Sequence, residues 1–476
     1  MLAAAAAVGH HRAMGGTWRR AYSVAVLVTL AALDNVVIGL LPPLYTPWSA
    51  ALGVGEAALG VTTAATYLVT AASAVGWGYL GDAWRRRPLL LVGTVGWTLG
   101  ALGTAAAPSF GAFVAAQLLT ALGLGAVSVV GFSVVSDLVS PRRRGLVLAL
   151  WGLSQGAGLL AGTLLGGLLG ARQPRLPFLV LAVVGVVAAA AYLGTREVPR
   201  GGAEPELAPL FRDGAGYPYR LRRGDLGVLW ARRTNRWLIL QGLTAQAALG
   251  SFVWLPRLLQ SRAQEQGIDT PTAIMVGSVL AALLQLGGVL SVCGGWLGDR
   301  VARRRPGGRA LVAGVAVLAA VPLYVVLFLL PLRVPVPAGA DAGAVLRAVL
   351  GGVLTSPTVA AAVLLGLCAA GLTAANSPNW FALIAEVNPP EHRGTVFGLG
   401  NLVNGAGRAG GTALAAGVFR AVAAAVPPPA SYAVGLAACQ LMFVPTGLMF
   451  LRAARSSPAD IAATAELLRE RAAAAR

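Results

Sequence analysis

Residues Gly78-Tyr79-Leu80-Gly81-Asp82 are followed by Arg85-Arg86-Arg87, and far downstream Gly295-Trp296-Leu297-Gly298-Asp299 is followed by Arg300 and Arg303-Arg304-Arg305. Each copy closes a long apolar run and opens a short basic break. A second pair is longer. Asp137-Leu138-Val139-Ser140-Pro141-Arg142-Arg143-Arg144-Gly145 aligns with Glu386-Val387-Asn388-Pro389-Pro390-Glu391-His392-Arg393-Gly394 at an offset of 249. The same offset pairs Gly156 with Gly405, Gly158 with Gly407, Gly162 with Gly411 and Thr163 with Thr412. Two repeats in equivalent places indicate a duplicated chain.

The runs between these motifs are long enough to cross a membrane. The chain is 57% hydrophobic and 12% charged, about half the charge of an ordinary soluble domain. Twelve apolar spans are predicted at 20–42, 56–81, 86–107, 110–138, 145–171, 176–195, 236–259, 272–298, 308–331, 357–386, 394–421 and 431–453, each near the ~20 residues a helix needs to cross the hydrocarbon core. An all-α membrane protein of two pseudo-symmetric six-helix bundles follows. The boundaries are 1–19 for an N-terminal tail, 20–195 and 236–453 for the bundles, 196–235 for a linker and 454–476 for a C-terminal tail. The linker's end, Asp225–Arg236, mixes apolar and basic residues, as either a surface helix or a frayed start of the seventh span would. Residues 332–356, broken by Pro335 and Pro337, read as a loop carrying a short interfacial helix.

The net charge of +19 comes from 37 basic residues that are all arginine. They cluster at alternate breaks, and the opposite breaks hold only Arg172, Arg175, Arg257, Arg262, Arg333, Arg347 and Arg420. Basic loops face the cytoplasm, so both termini are expected inside a plasma membrane. That alternation is a topology signal, and no nucleic-acid partner is expected. Cys293, Cys368 and Cys439 lie inside apolar runs without ligand spacing, so neither a disulfide framework nor a metal site is expected.

The glycine–aspartate–arginine motifs resemble the signature of the major facilitator superfamily, with Ala83 in place of the usual basic residue. Within it, Gly78–Asp82 and Asp137–Gly145 are similar to the spinster branch, associated with lysolipid and sphingolipid transport. Asp34-Asn35 matches that branch's Asp-Arg at the Asp, and Ala126 stands where the branch carries Glu. The resemblance implies two six-helix halves that transport by alternating access, without a cofactor. Gly162-Thr163-Leu164-Leu165-Gly166-Gly167 also resembles the antiporter signature, with Thr163 in place of Pro, which favours export.

Three groups of residues could carry mechanism. On the arginine-rich side Gly78, Asp82, Arg86, Arg87, Asp137, Arg144, Gly295, Asp299, Arg300, Arg303, Arg304, Glu386 and Arg393 are candidates for a gate or latch. There, guanidinium groups would bond carboxylates, or the arginines serve only as topology anchors. Gly158, Gly162, Gly166 and Gly167 form a small-residue face for close helix packing. Inside the membrane, Asp34 lies about fifteen residues into the first span and Arg408 about fourteen into the eleventh, each roughly 20 Å from the end of its helix. Charges at that depth face a cavity or each other, which makes the two proton-coupling candidates. Arg408 would pair with Asp34 or take an anionic substrate group. Asn35, Tyr67, Gln155, Gln241, Gln246, Trp254, Asn376, Asn379, Trp380 and Asn404 are candidates to line the cavity. Pro378 would interrupt the tenth span beside Asn376 and Asn379.

The expectation is a monomeric secondary transporter of a small amphipathic or hydrophobic organic substrate, surrounded by membrane lipids and coupled to protons. A lysophospholipid or sphingoid lipid carrier, a membrane sensor and a membrane-embedded lipid enzyme remain as alternatives. The histidines, His10, His11 and His392, form no metal spacing. Without lysine there is no phosphate-binding Gly-x-x-x-x-Gly-Lys motif.

Overall fold

The computed structural model describes residues 2–138, 141–195, 225–337 and 339–474, with side chains from Trp18 onward except those of 82–83, 136–137, 141–149, 225–226, 228, 390–391, 394 and 468–474. Among the described residues all regular structure is helical. Eleven helices among the described residues are long and apolar enough to cross a membrane: Trp18–Leu52, Glu56–Gly81, Arg86–Ala106, Phe110–Val135, Leu150–Gly170, Leu176–Leu193, Arg233–Glu265, Thr270–Ala302, Gly308–Leu329, Pro357–Val387 and Ala430–Leu467. The 34-residue helix Pro390–Ala423 supplies the remaining span, the eleventh of twelve in chain order.

Several spans depart from regular α-helix near proline or glycine. A 3₁₀ turn at Pro42–Leu44 interrupts the first span and another at Phe252–Trp254, just before Pro256, interrupts the seventh. The fourth span carries a π-turn at Val127–Gly131. The tenth divides into Pro357–Ala374 and Asn376–Val387, so Pro378 stands in the first turn after the break. The linker ends in a separate helix, Asp225–Ala231, turning at Arg232 into the seventh span; the rest of the linker up to 224 lies outside the described residues. In the 332–356 segment a helix forms over Ala342–Thr355, capped by Asp341, which accepts from the Ala344 N–H. The last helix runs unbroken from Phe443 to Ala474, through the stretch read as a tail.

Contacts divide the chain into two compact units. One holds Met1–Leu41, Val69–Leu165 and Gln173–Pro218; the other holds Pro42–Leu68, Gly166–Arg172 and Tyr219–Arg476. In the first unit the fifth span lies backbone to backbone against the first. A Cβ on Gly158 would sit 2.0 Å from the Ala32 carbonyl oxygen, one on Gly162 2.2 Å from that of Val36, and one on Gly39 2.4 Å from that of Leu159. In the second unit the eleventh span meets the seventh in the same way. A Cβ on Gly407 would meet the Leu243 oxygen at 2.3 Å, one on Gly411 the Ala247 oxygen at 2.0 Å, and one on Gly250 the Arg408 oxygen at 2.3 Å. The offsets of 249 and 211 map one set onto the other, so the duplication reaches individual contacts. Such close approach gains dispersion energy that side chains would hold apart.

The motif glycines obey the same correspondence. Gly78 and Gly81 face Val129 and Val130 of the fourth span, and Gly295 and Gly298 face Pro378 and Asn379 of the tenth.

Candidate functional site

Two mid-membrane charges stand out because the repeat gives them no counterpart. The equivalent of Asp34 is Ala245, and that of Arg408 is Leu159.

Asp34 belongs to the first unit. It lies one turn beyond Leu30 and Ala31 and two beyond Leu27, which are buried with Val127 and Val130 of the fourth span's π-turn. It is 5% exposed, and its Oδ1 is buried without a hydrogen-bond partner among the described residues. Asn35 beside it donates to the Ala31 carbonyl at 3.0 Å. π-turns recur at functional sites because they misalign the helix ladder, and this one begins next to Ala126.

Arg408 belongs to the second unit. Its guanidinium carbon lies 4.8 Å from the centre of the buried Tyr67 ring. Its Nε is buried without a hydrogen-bond partner among the described residues. On the same helix face, at i−4 and i−7, stand half-buried Asn404 and exposed Asn401. Gln155 and Gln246 are half-buried, in the first and second units respectively.

Other cavity candidates are committed to packing. Asn379 is fully buried and donates to the Gly294 carbonyl at 3.1 Å and that of Ala375 at 2.9 Å. Trp380 donates through its indole N–H to the Leu238 carbonyl at 2.8 Å. Gln241 accepts from Asn376 at 3.3 Å. Trp254 is 2% exposed and wedged among Tyr45, Phe419 and Tyr432, with ring centres 5.0, 5.1 and 6.4 Å away. Gly60 makes room for it, since a Cβ there would meet the indole at 2.3 Å.

At the arginine-rich end of the second unit the guanidinium that reaches the motif carboxylates is Arg309's. It contacts Asp299, and its Nε donates to Glu386 Oε1 at 2.7 Å. Arg303 and Arg304, named beside the motif as latch candidates or topology anchors, do not reach those carboxylates among the described residues. Both lie on the turn after the eighth span and point to solvent, and Arg303 reaches only the Asp299 backbone oxygen at 3.4 Å. Arg309 occupies the first turn of the ninth span, between the eighth and the tenth. Arg300 stacks on Trp296, 5.5 Å from its ring centre, and Arg393 donates to the Asn388 carbonyl at 3.1 Å. In the first unit Arg86 is buried, and Arg87 reaches the Leu193 carbonyl. The side chains of Asp82, Asp137 and Arg144 lie outside the described residues.

Of the packing glycines, Gly158 and Gly162 make the backbone contacts above, Gly166 is buried, and a Cβ on Gly167 would overlap Ser278.

Two constellations escaped the sequence. Glu56, at the start of the second span, is held by Arg257, Tyr432 and Thr46. At the opposite end of the same unit Asn235 and Asn388 exchange paired amide bonds at 2.8 Å, while Asp460 accepts from the Thr234 N–H at 3.0 Å. In the sequence Glu56 stands as a lone acid at the start of the second span. Nothing in the sequence pointed to its partner 201 positions away.

The Major Facilitator Superfamily model matches residues 24–412. A tetracycline resistance protein, class B, of Escherichia coli is 33% identical over 110 residues, covering 23% of this chain and 27% of that protein. A multidrug resistance protein B homolog of Mycobacterium tuberculosis is 27% identical over 214 residues, 42% of this chain and 40% of that protein. The matches thus span well under half of these relatives' lengths. Among solved structures, a bacterial homolog of the human lysosomal transporter Spinster, inward-facing and unoccupied, superimposes with a TM-score of 0.71 at 18% identity, covering 93% of this chain and 98% of that one. A D-xylose-proton symporter gives 0.60 at 14% identity, covering 91% and 96%.

Proposed function

Because the chain belongs to the Major Facilitator Superfamily, we propose that it moves a small amphipathic or hydrophobic organic substrate outward by alternating access, driven by protons that load and leave Asp34. Members of this family are carriers rather than enzymes. The observation that carries the coupling is the buried Asp34 carboxyl in the first span, whose Oδ1 has no hydrogen-bond partner among the described residues. Burial and water access act oppositely on the two protonation states of a carboxyl. A group that alternates between dry and wet surroundings therefore takes up a proton in one state and releases it in the other.

Support for export comes from the antiporter-like glycines 162–167 and from relatives whose names record resistance to tetracycline and to multiple drugs. Orientation follows from arginine: both termini lie in the cytoplasm of a plasma-membrane protein, which acts as a monomer among membrane lipids. Asp299, Glu386 and Arg309 then tie the eighth, ninth and tenth spans together at the cytoplasmic face, so that this end of the second half moves as one body.

Proteoliposomes test the coupling with tetracycline and ethidium as probes under an imposed pH gradient. Wild-type protein should accumulate at least one probe against the gradient of protons, and Asp34→Asn should retain binding while losing the response to the gradient. Wild-type transport indifferent to the gradient, or Asp34→Asn transport that still follows it, would overturn the assignment.

A further inference from the structure

Arg408 is the one mid-membrane cation of the sequence, and its surroundings do not neutralise it. Among the described residues its guanidinium forms neither an ion pair nor a hydrogen bond, and its Nε is buried with no acceptor. The carboxylate of its unit on the helix that carries Tyr67 is Glu56, eleven residues or about 16 Å along that helix, and already bound to Arg257, Thr46 and Tyr432. An unpaired charge at this depth costs several kcal/mol in lipid and persists where it faces a cavity or a ligand.

The contact it does make leaves its donors free. Tyr67 lies over the guanidinium at 4.8 Å. A ring in that position holds the cation through its π-face and accepts no conventional hydrogen bond, which leaves the N–H groups available for the paired oxygens of a carboxylate or phosphate. Asn404, one turn back, is half-buried with its amide oxygen packed in the space that Gly242 of the seventh span leaves, which sets its amide nitrogen as the group it can offer. The backbone is fixed, because Gly250 brings the seventh span against the Arg408 carbonyl and Thr412 donates to the Gly250 oxygen at 2.8 Å. The donors are therefore placed before a ligand arrives.

We propose that Arg408, held against Tyr67 and flanked by Asn404, binds the anionic headgroup of the substrate, which is an amphipathic carboxylate or phosphate. This rests on the transport reading and names the substrate class within it. The headgroup could belong to a small soluble acid or to a single-chain anionic lipid, and the test separates the two.

Binding is measured on the full-length protein in nanodiscs without a pH gradient, so that failure of proton coupling and failure of this site are read independently. One pair of probes is 1-naphthaleneacetate and 1-naphthaleneacetamide; the other is oleoyl lysophosphatidylglycerol and monooleoylglycerol. Wild-type protein should prefer one anion over its uncharged counterpart by about tenfold, the order of one charge-assisted pair. The pair that shows it identifies the source. Arg408→Gln should reduce that preference to about twofold or less, and Arg408→Lys, which keeps charge without the fork, should fall between. Tyr67→Leu leaves the arginine in place and should weaken the preference too, which keeps the test decisive if Arg408→Gln does not fold. No preference in the wild type for either anion, or a preference undiminished in Arg408→Gln or in Tyr67→Leu, overturns the proposal.

Discussion

The Nε of Arg257 donates to both carboxylate oxygens of Glu56, at 2.8 and 2.7 Å, joining the end of the seventh span to the start of the second. Tyr432 donates to the same carboxylate at 2.9 Å while its ring lies 5.1 Å under the guanidinium, and Thr46 donates at 2.8 Å. Glu56 and Arg257 are 17% and 13% exposed, so the pair is partly withdrawn from water and screened less than a surface pair.

Removing either member leaves the other desolvated and unpaired. Glu56→Gln and Arg257→Gln should each destabilise the folded protein by about 2 kcal/mol. The double variant should cost less than the sum, with a coupling of about 1 kcal/mol. A double-mutant cycle by detergent-denaturation titration measures this; strictly additive losses would mean that the pair contributes nothing.

The interlocked glycines make a sharper prediction because their neighbours serve as controls. Gly411→Ala places a methyl group 2.0 Å from the Ala247 oxygen, whereas Gly410 has nothing within 4 Å of its Cβ position. Gly411→Ala should lower the unfolding temperature and the yield of monodisperse protein, by a cost of about 1–3 kcal/mol. Gly410→Ala should be near neutral. Gly162→Ala against Gly152→Ala repeats the comparison in the other unit, since Gly152 is likewise unobstructed.

Asp299 and Glu386 share Arg309. Arg309→Ala should destabilise the folded protein by about 2 kcal/mol, because both acids lose a charge-assisted bond. Arg303→Ala and Arg304→Ala, both exposed, should change stability by under about 0.5 kcal/mol. Thermal unfolding of the three variants side by side decides it, and equal losses would return the role to the motif arginines.

Outside the spans, Asp269 accepts from the Gly339 N–H at 2.7 Å and from the Thr272 N–H at 3.2 Å, which holds its carboxyl below the usual range. A lowered carboxyl pKa stabilises the fold at pH values above the unfolded-state pKa, and that contribution is lost as pH falls through the folded-state value. The tether of the 332–341 segment should therefore be indifferent to pH across the neutral range and loosen only below about pH 4. Hydrogen exchange at Gly339 reads it: Asp269→Ala should accelerate exchange at neutral pH, and unchanged exchange would show the bond to be idle.

The duplicated fold could be read from the sequence because packing constraints repeat with it. The pairs Gly158/Gly407 and Gly162/Gly411 align at one offset and make equivalent backbone contacts. Depth was legible too, since a charge fourteen residues into an apolar run has nowhere else to be. Facing was not. Asn379 and Trp380 have the polarity and depth of cavity residues, yet both bond backbone carbonyls of neighbouring spans. Choosing Arg309 from among five nearby arginines depended on the helical register set after the Gly307 turn, whose φ of 83° only glycine adopts readily. Long-range pairs such as Glu56 with Arg257 leave no local trace, because each residue alone looks like an ordinary charge at the end of a span.

Proton release is the most direct measurement of what Asp34 does. Adding tetracycline or ethidium to purified protein in weakly buffered solution, with a pH-sensitive dye, reports protons displaced when a probe binds. The account predicts release from the wild type that is absent in Asp34→Asn although the probe still binds. Equal release from both proteins, or binding to the wild type that displaces no proton, would contradict it.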